Sequence, residues 1–271
     1  MNRNKHEFGN PFFTLSRGLA SVDLTLLLND LVYTLPTIIF GRHVMSDAFH
    51  VGFGLIRIGF MWVEFPMVLA IAINRYVMLF HPLVGKAIFT KSFARATVAV
   101  SYCFGLSFTV WCCYCHCITQ FVEYNWMYPC QNSCAMYYLR SAINIGNVIT
   151  IIIVLTYGLI MLRFRLAVAK VWNDNTNEKS RRKRELLKQE AAMLKQSSMI
   201  SLCFSFFVLM FVVMQHVPLQ RQYAGIILHF AGSLNSATTP VCYLAFSPTM
   251  RHCVGKMYKQ VLGTESATSA Q

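Results

Sequence analysis

Six times between residues 17 and 246 the chain runs into an apolar stretch of about 20 residues, the length a helix needs to cross the hydrocarbon layer of a bilayer. The runs are 17–40, 51–80, 96–119, 141–164, 197–217 and 223–246. They constrain the fold before anything else does, because lipid offers a backbone no hydrogen-bond partner and a helix supplies its own. A soluble bundle would show a polar stripe on every helix, and Ile149 to Leu162 or Ile200 to Met214 show almost none. With 55% apolar and only 13% charged residues, the composition falls short of what a water-facing surface needs. The expected fold class is an all-α membrane protein, a helical bundle with six transmembrane helices. Residues 1–246 are read as the bundle and 247–271 as a cytoplasmic tail. The tail carries a short amphipathic helix, since Met250, Arg251, Val254, Lys256, Met257 and Lys259 alternate apolar and basic character as an interfacial helix does.

Lysine and arginine fix the orientation, because cytoplasmic loops retain them. Arg3, Lys5 and Arg17 open the chain, Lys86, Lys91 and Arg95 fill the second connection, ten lie between Arg163 and Lys195, and Arg251, Lys256 and Lys259 follow the last run. The other side holds Arg42, Arg140 and Arg221. Both termini are therefore expected in the cytoplasm, and Arg75 falls at the inner end of its run. The net charge of +13 reads as topology and attraction to anionic inner-leaflet lipid, not as a nucleic-acid surface. No secretory signal precedes the first run, as Met1 to Asn10 is polar. Within the long connection, Asn173 to Asn177 reads as a break and Glu185 to Lys195 as a cytoplasmic extension of the fifth run. Its basic stretch Arg181-Arg182-Lys183-Arg184 serves either as a retention signal alone or as a docking surface for a partner. Cys253 is either a palmitoylation site or a free thiol.

Ionisable residues inside apolar runs are functional candidates by default, since an arginine at mid-membrane costs roughly 2.5–3.5 kcal/mol on insertion scales. Arg75 at the exit of its run is expected to reach water and a cytoplasmic partner; an anchoring side chain that snorkels is the plainer reading. Glu64 lies eleven residues before Arg75, about three turns deeper, at the depth expected of Asp23. Two carboxylates there would share a proton or a cation such as sodium, or Glu64 would simply be protonated. Arg57, two turns outward of Glu64, either binds an anionic ligand or pairs with Asp30. Pro240 removes a backbone donor and bends the last helix, with Asn235, Ser236 and Thr239 placed to re-satisfy the freed carbonyls.

The segment Trp111 to Cys117 holds Cys112, Cys113, Cys115, His116 and Cys117, soft ligand types that a single helix cannot converge on one metal, so apolar filler is the preferred reading. Cys130 and Cys134 fall in an outer loop where oxidation is permitted, and either can bridge to the Cys112–Cys117 segment; spacing does not decide which. No phosphate-binding glycine loop, paired nucleophile and base, or His-Glu-x-x-His motif occurs, so no enzymatic activity is expected, and no cofactor beyond a sodium ion.

Three separated motifs resemble the rhodopsin-like G protein-coupled receptors. Leu19-Ala20-Ser21-Val22-Asp23 is similar to the second-helix Leu-Ala-x-x-Asp. Asn74-Arg75-Tyr76, followed by Pro82-Leu83, is similar to the third-helix Asp-Arg-Tyr and its Pro-Leu. Leu234 to Tyr243, with Asn235, Ser236, Pro240 and Tyr243, is similar to the seventh-helix Asn-Ser…Asn-Pro-x-x-Tyr. Tyr157 resembles the fifth-helix tyrosine, and the spacing of Glu190 and Phe204 a sixth-helix pair. Asn-Arg-Tyr, Asn10-Pro11-Phe12-Phe13 and Glu190 with Gln196 most resemble the nematode serpentine chemoreceptors.

The six runs would then correspond to helices two to seven of a seven-helix receptor. The resemblance implies a chemosensory receptor in the plasma membrane of a sensory cell, binding a small molecule within the bundle and activating a heterotrimeric G protein. Asn74, Arg75, Tyr76, Tyr157, Pro240 and Tyr243 would form its coupling and switch elements. Asp23, Glu64, Asn235 and Ser236 would hold a sodium ion or proton, and Arg57 would contact ligand. Departures are Asn74 for the acidic partner of the arginine, Thr239 for the last asparagine, no Cys-Trp-x-Pro in the fifth run, and His50 near the expected third-helix disulfide cysteine. A first helix is missing, and an upstream segment of about 20 apolar residues is the expectation. The alternatives are a six-helix transporter or channel, which the lack of visible internal repeats disfavours, and a non-signalling receptor fragment.

Overall fold

Pro11 opens the first helix, where its missing N–H leaves no helical bond unmade. The computed structural model describes residues 11–41, 45–117, 120–122, 125–127, 132–172, 178–216 and 221–246. Helix α1 (Pro11–Asn29) passes through a π-helical turn, Asp30–Thr34, into α2 (Leu35–Phe40). Pro36 sits in the first turn of α2, where it can neither donate to nor pack under the preceding turn of a regular helix; the wide turn directly before it absorbs that conflict. The same turn buries Asp30, Tyr33 and Thr34 together. Gly41, in the left-handed region at φ 62°, ends α2 as glycine does at helix C-termini.

Helix α3 (Asp47–Phe80) carries Pro66 in its interior. The short α4 (Pro82–Ile88) again begins on a proline, and α5 (Lys91–Tyr114) is capped by the Thr90 hydroxyl, which accepts from the Phe93 N–H at 3.2 Å. An antiparallel hairpin, β1 (Gln120–Val122) and β2 (Asn125–Met127), pairs Phe121 with Trp126. Then follow α6 (Ser133–Trp172), α7 (Glu178–His216) and α8 (Arg221–Phe246). Each of the six expected runs carries a helix, the third ending at Tyr114, where the chain turns through Cys115 and His116, and not at residue 119. Helix α1 begins at Pro11, ahead of the expected residue 17, because Phe12, Phe13 and Leu15 continue the apolar face. Glu185 to Lys195 is helical as expected, within α7; the break at Asn173–Asn177 and the tail from residue 247 lie outside the described residues. The sequence reading had no place for α4 or the hairpin.

Among the described residues, five helical stretches are long and apolar enough to cross a membrane: Pro11–Phe40, Asp47–Phe80, Lys91–Tyr114, Ser133–Leu166 and Leu194–Met214. Helix α8 matches them in length, at 26 residues, while Asn235, Ser236, Thr238 and Thr239 dilute its hydropathy. Those polar residues are buried, as polar groups in a membrane helix must be.

Helix α3 is the axis, packing against α1, α5, α6 and α7. Trp62 stacks on Phe108 of α5 at 3.9 Å between centroids and on Phe65 at 5.0 Å, and Phe65 meets Phe204 of α7 edge-on at 5.0 Å. Small residues let α3 and α5 approach closely, as in other membrane helix pairs. A Cβ on Gly105 would fall against the Gly59 carbonyl and the Val63 side chain. On the outer side Cys115 bridges to Cys134, resolving one of the pairings the spacing left open, and Cys117 is also disulfide-bonded. The hairpin between these cysteines lies with β1 against α3 and β2 against α8.

Gly105→Ala is expected to destabilise the bundle by about 1–3 kcal/mol through overpacking, seen as a lower thermal midpoint in detergent. Gly52→Ala, at a position where a Cβ meets nothing, is the control and should leave the midpoint in place. Equal midpoints for the two variants would contradict the close α3–α5 contact.

Candidate functional site

Helix α3 carries its polar side chains in three layers. Arg57 to Glu64 is seven residues and Glu64 to Arg75 eleven, so the layers stand roughly 10 and 16 Å apart along the axis.

The outer layer is built on the π turn, which aims Asp30 at α3. Arg57 Nη1 lies 2.6 Å from Asp30 Oδ1. The Ser233 hydroxyl of α8 donates to Asp30 Oδ2 at 2.8 Å, Thr34 donates to Oδ1 at 3.3 Å, and His229 Nε2 stands 4.0 Å from Oδ1. Of the two roles open to Arg57, the geometry forms the pair with Asp30. Further out, the Tyr33 hydroxyl hydrogen-bonds His50 Nδ1, and the Tyr33 ring stacks on Phe53 at 5.0 Å. The position where the resemblance expects a disulfide cysteine thus lies beside a buried polar contact between α1–α2 and α3. Sequence reasoning missed Ser233, His229 and Tyr33; the visible signal was the four-residue spacing of His229 and Ser233, which puts both on one face of α8.

The middle layer holds Asp23 of α1, Glu64 of α3, and Asn235, Ser236 and Thr239 of α8, none more than 5% exposed. Asn235 Nδ2 donates to Glu64 Oε1 at 2.6 Å. Asp23 faces Glu64 and lies within hydrogen-bonding reach of Thr239, its carboxylate buried. The four residues expected to share a site do converge. A cleft bounded by Asp30, Arg57, Glu64, Asn235 and Ser236 leaves about 20 Å3, room for roughly one water or an ion of that size. Met61 and Phe207 line this cleft and also an adjoining apolar cavity of about 60 Å3, walled by Trp62, Phe65, Phe211 and Asn147.

The inner layer corrects an expectation. Arg75 does not extend into water: it is 6% exposed, its guanidinium 3.3 Å from the centroid of the Phe12 ring. A charge at the exit of a helix reaches water only if no neighbour covers it, and Phe12 at the start of α1 covers it. The arginine also lies within electrostatic reach of Tyr157 on α6. Asn74 is buried beside it, and Tyr76 is half-buried, packing on Phe80 at 5.2 Å under the Arg163 guanidinium. Pro240 lies in α8 with an exposed side chain; the Tyr243 and Glu190 side chains lie outside the described ones. Past α3, Leu83 of α4 is 84% exposed and Val84 50%. Phe12 sat in the quoted Asn-Pro-Phe-Phe stretch, but nothing in sequence tied it to Arg75.

Removing one partner of a buried ion pair typically costs 3–5 kcal/mol, because the other charge stays buried. Arg57→Leu should therefore sharply lower the thermal midpoint in detergent, and adding Asp30→Asn should recover much of the loss. A double variant no more stable than Arg57→Leu alone would contradict the pairing.

A family model described as serpentine type 7TM GPCR chemoreceptor Srx matches residues 2–238. Among solved structures, the crystal structure of squid rhodopsin is similar, with a TM-score of 0.75 at 16% sequence identity, over 97% of this chain and 79% of that one. At that identity the likeness concerns the fold. No curated protein sequence matches the chain.

Proposed function

The chain belongs to the Srx family of serpentine seven-transmembrane chemoreceptors, and from that premise we propose that it is a G protein-coupled chemosensory receptor held at rest by the stacking of Arg75 on Phe12. The observation that carries this reading is the buried guanidinium at the inner end of the helix that also lines both ligand-side cavities. An arginine over an aromatic face gains about 2 kcal/mol when desolvated, a restraint large enough to bias a two-state equilibrium and small enough for a ligand to reverse.

The small molecule binds between α3, α6 and α7, its apolar body against Trp62, Phe65 and Phe211. Met61 and Phe207 form the passage to Asp30 and Arg57. The resting cavity is small, so binding selects a state in which α3 and α7 have separated. That separation frees Arg75 to meet the G protein, with Tyr76, Tyr157, Pro240 and Tyr243 as the remaining switch elements. Leu83 and Val84 supply an apolar contact on the same face, where strongly exposed leucine next to Lys86 fits a partner surface. Asp23, Glu64, Asn235 and Ser236 bind a sodium ion or carry a proton that favours the resting state. The receptor acts at the plasma membrane of a sensory cell.

Arg75→Ala should abolish nucleotide exchange on a reconstituted G protein, while Phe12→Ala should raise basal exchange several-fold. Unchanged exchange in Arg75→Ala, or substrate flux in liposomes with no exchange, would overturn the receptor reading. At the middle layer, sodium sensitivity of basal exchange should respond non-additively to Asp23→Asn and Glu64→Gln. Strict additivity would show that the two carboxylates serve separate helix contacts.

A further inference from the structure

Helix α6 buries Ala142, Ile153, Tyr157 and Ile160 on the side that packs against α3 and α7. At 3.6 residues per turn, Asn144 projects from the opposite side, and it is exposed. It has no hydrogen-bond partner among the described residues. Thr150 and Thr156 of the same helix are met, their hydroxyls donating to the Gly146 and Ile152 carbonyls at 2.8 and 2.7 Å. The depth of Asn144 makes its isolation costly. It lies one turn, about 6 Å, inward of Arg140 and about 28 Å from Arg163, so its amide stands within the hydrocarbon. A donor and an acceptor that meet neither water nor protein carry their desolvation penalty until a partner arrives.

Around the amide runs an apolar line. Tyr137, Val148, Ile151, Leu155 and Leu162 project within about 40° of Asn144 and are 56–67% exposed. From Asn144, positions 148, 151, 155, 158 and 162 follow at alternating steps of four and three, the a and d spacing of paired helices. Position 158 is a glycine whose Cβ would meet nothing within 4 Å. Exposed apolar side chains alone mark no interface, because lipid is as apolar as they are; the amide singles out this line.

We propose that this face of α6 pairs with the same face of a second copy of the chain, in a parallel two-fold dimer whose two Asn144 amides hydrogen-bond one another. Depth and chemistry name the occupant. Copies inserted by the same charge rule share one orientation, so a two-fold axis along the membrane normal sets each residue of the line opposite itself. Asparagine then meets asparagine, a neutral side chain that donates and accepts at once. One polar asparagine per helix fixes register and strand number in helix pairs. Any other protein would have to bring a polar group to that depth, whereas a second copy always does. Arg140, one turn outward on the same side, has a stem long enough to carry its charge into the headgroups. Asn144, Val148, Ile151 and Leu155 lie outside the polar layers and both ligand-side cavities, so the dimer stands or falls independently of the signalling reading.

The full chain is reconstituted in liposomes over a range of protein-to-lipid ratios, and copies per particle are counted by single-molecule photobleaching. Monomers should give way to dimers, and to nothing larger, as the ratio rises. Asn144→Leu, which suits lipid and removes no contact within the bundle, should raise the ratio needed for half-dimerisation on the order of tenfold, the worth of a paired interhelical amide. Asn144→Gln, which keeps the amide, should restore most of the loss. Benzoylphenylalanine in place of Ile151 should crosslink two copies, while in place of Val154, about 80° round the helix from Asn144, it should not. A chain that stays monomeric at every ratio, an Asn144→Leu curve that overlays the original, or crosslinks from position 154 as strong as those from 151 would overturn the proposal, the first result leaving lipid as the only partner of the amide.

Discussion

A polar side chain that enters hydrocarbon must find its partner within the protein, and α3 brings Arg57, Glu64, Asn74 and Arg75 into the bundle on one helix. Three of them are met by other elements: Arg57 by Asp30 in the π turn, Glu64 by Asn235 of α8, and Arg75 by the Phe12 ring of α1. Apolar packing between membrane helices is weakly directional because lipid tails are equally apolar. These contacts therefore fix which helix faces which, and at what height. The π turn before Pro36 belongs to the same requirement, since it carries Asp30 round to Arg57.

The layers are linked through two helices. Helix α8 contributes Ser233 to the outer layer and Asn235 to the middle one, two residues apart, so a shift of α8 disturbs both. Helix α3 carries all three layers, so a ligand that displaces Met61 of α3, or Phe207 of α7 facing it, acts on the helix that carries Arg75 near its inner end. The proposed coupling of outer and inner faces needs no longer chain of contacts than this.

The membrane class, the six helices and the resemblance were legible because hydropathy and short motifs are local. Depth paired Glu64 with Asp23, the seventh-helix resemblance added Asn235 and Ser236, and the four residues lie together. Depth could not show what lies beside a residue. Arg75 was read as exposed because its height is right for water, whereas its cover comes from Phe12, 63 positions earlier in the chain. Ser233 and His229 were passed over because a serine or histidine in an apolar helix carries no signal until the facing carboxylate is known. The π turn was invisible for a related reason: Pro36 announces a distortion, but only the Asp30–Arg57 contact explains the form it takes. The cysteine segment kept its alternatives until the chain path brought Cys115 to Cys134.

The central claim is that the guanidinium of Arg75 is held by the π face of Phe12, and stepwise fluorination of that one ring tests it most directly. Fluorine drains the negative quadrupole of the face that attracts the cation while changing the ring's size little. Replacing Phe12 with mono-, di- and trifluorophenylalanine should raise basal nucleotide exchange with each added fluorine while membrane abundance stays constant. Exchange that stays flat across the series, with the Arg75→Ala variant inactive on the same G protein, would show that the ring merely covers the arginine and does not restrain it.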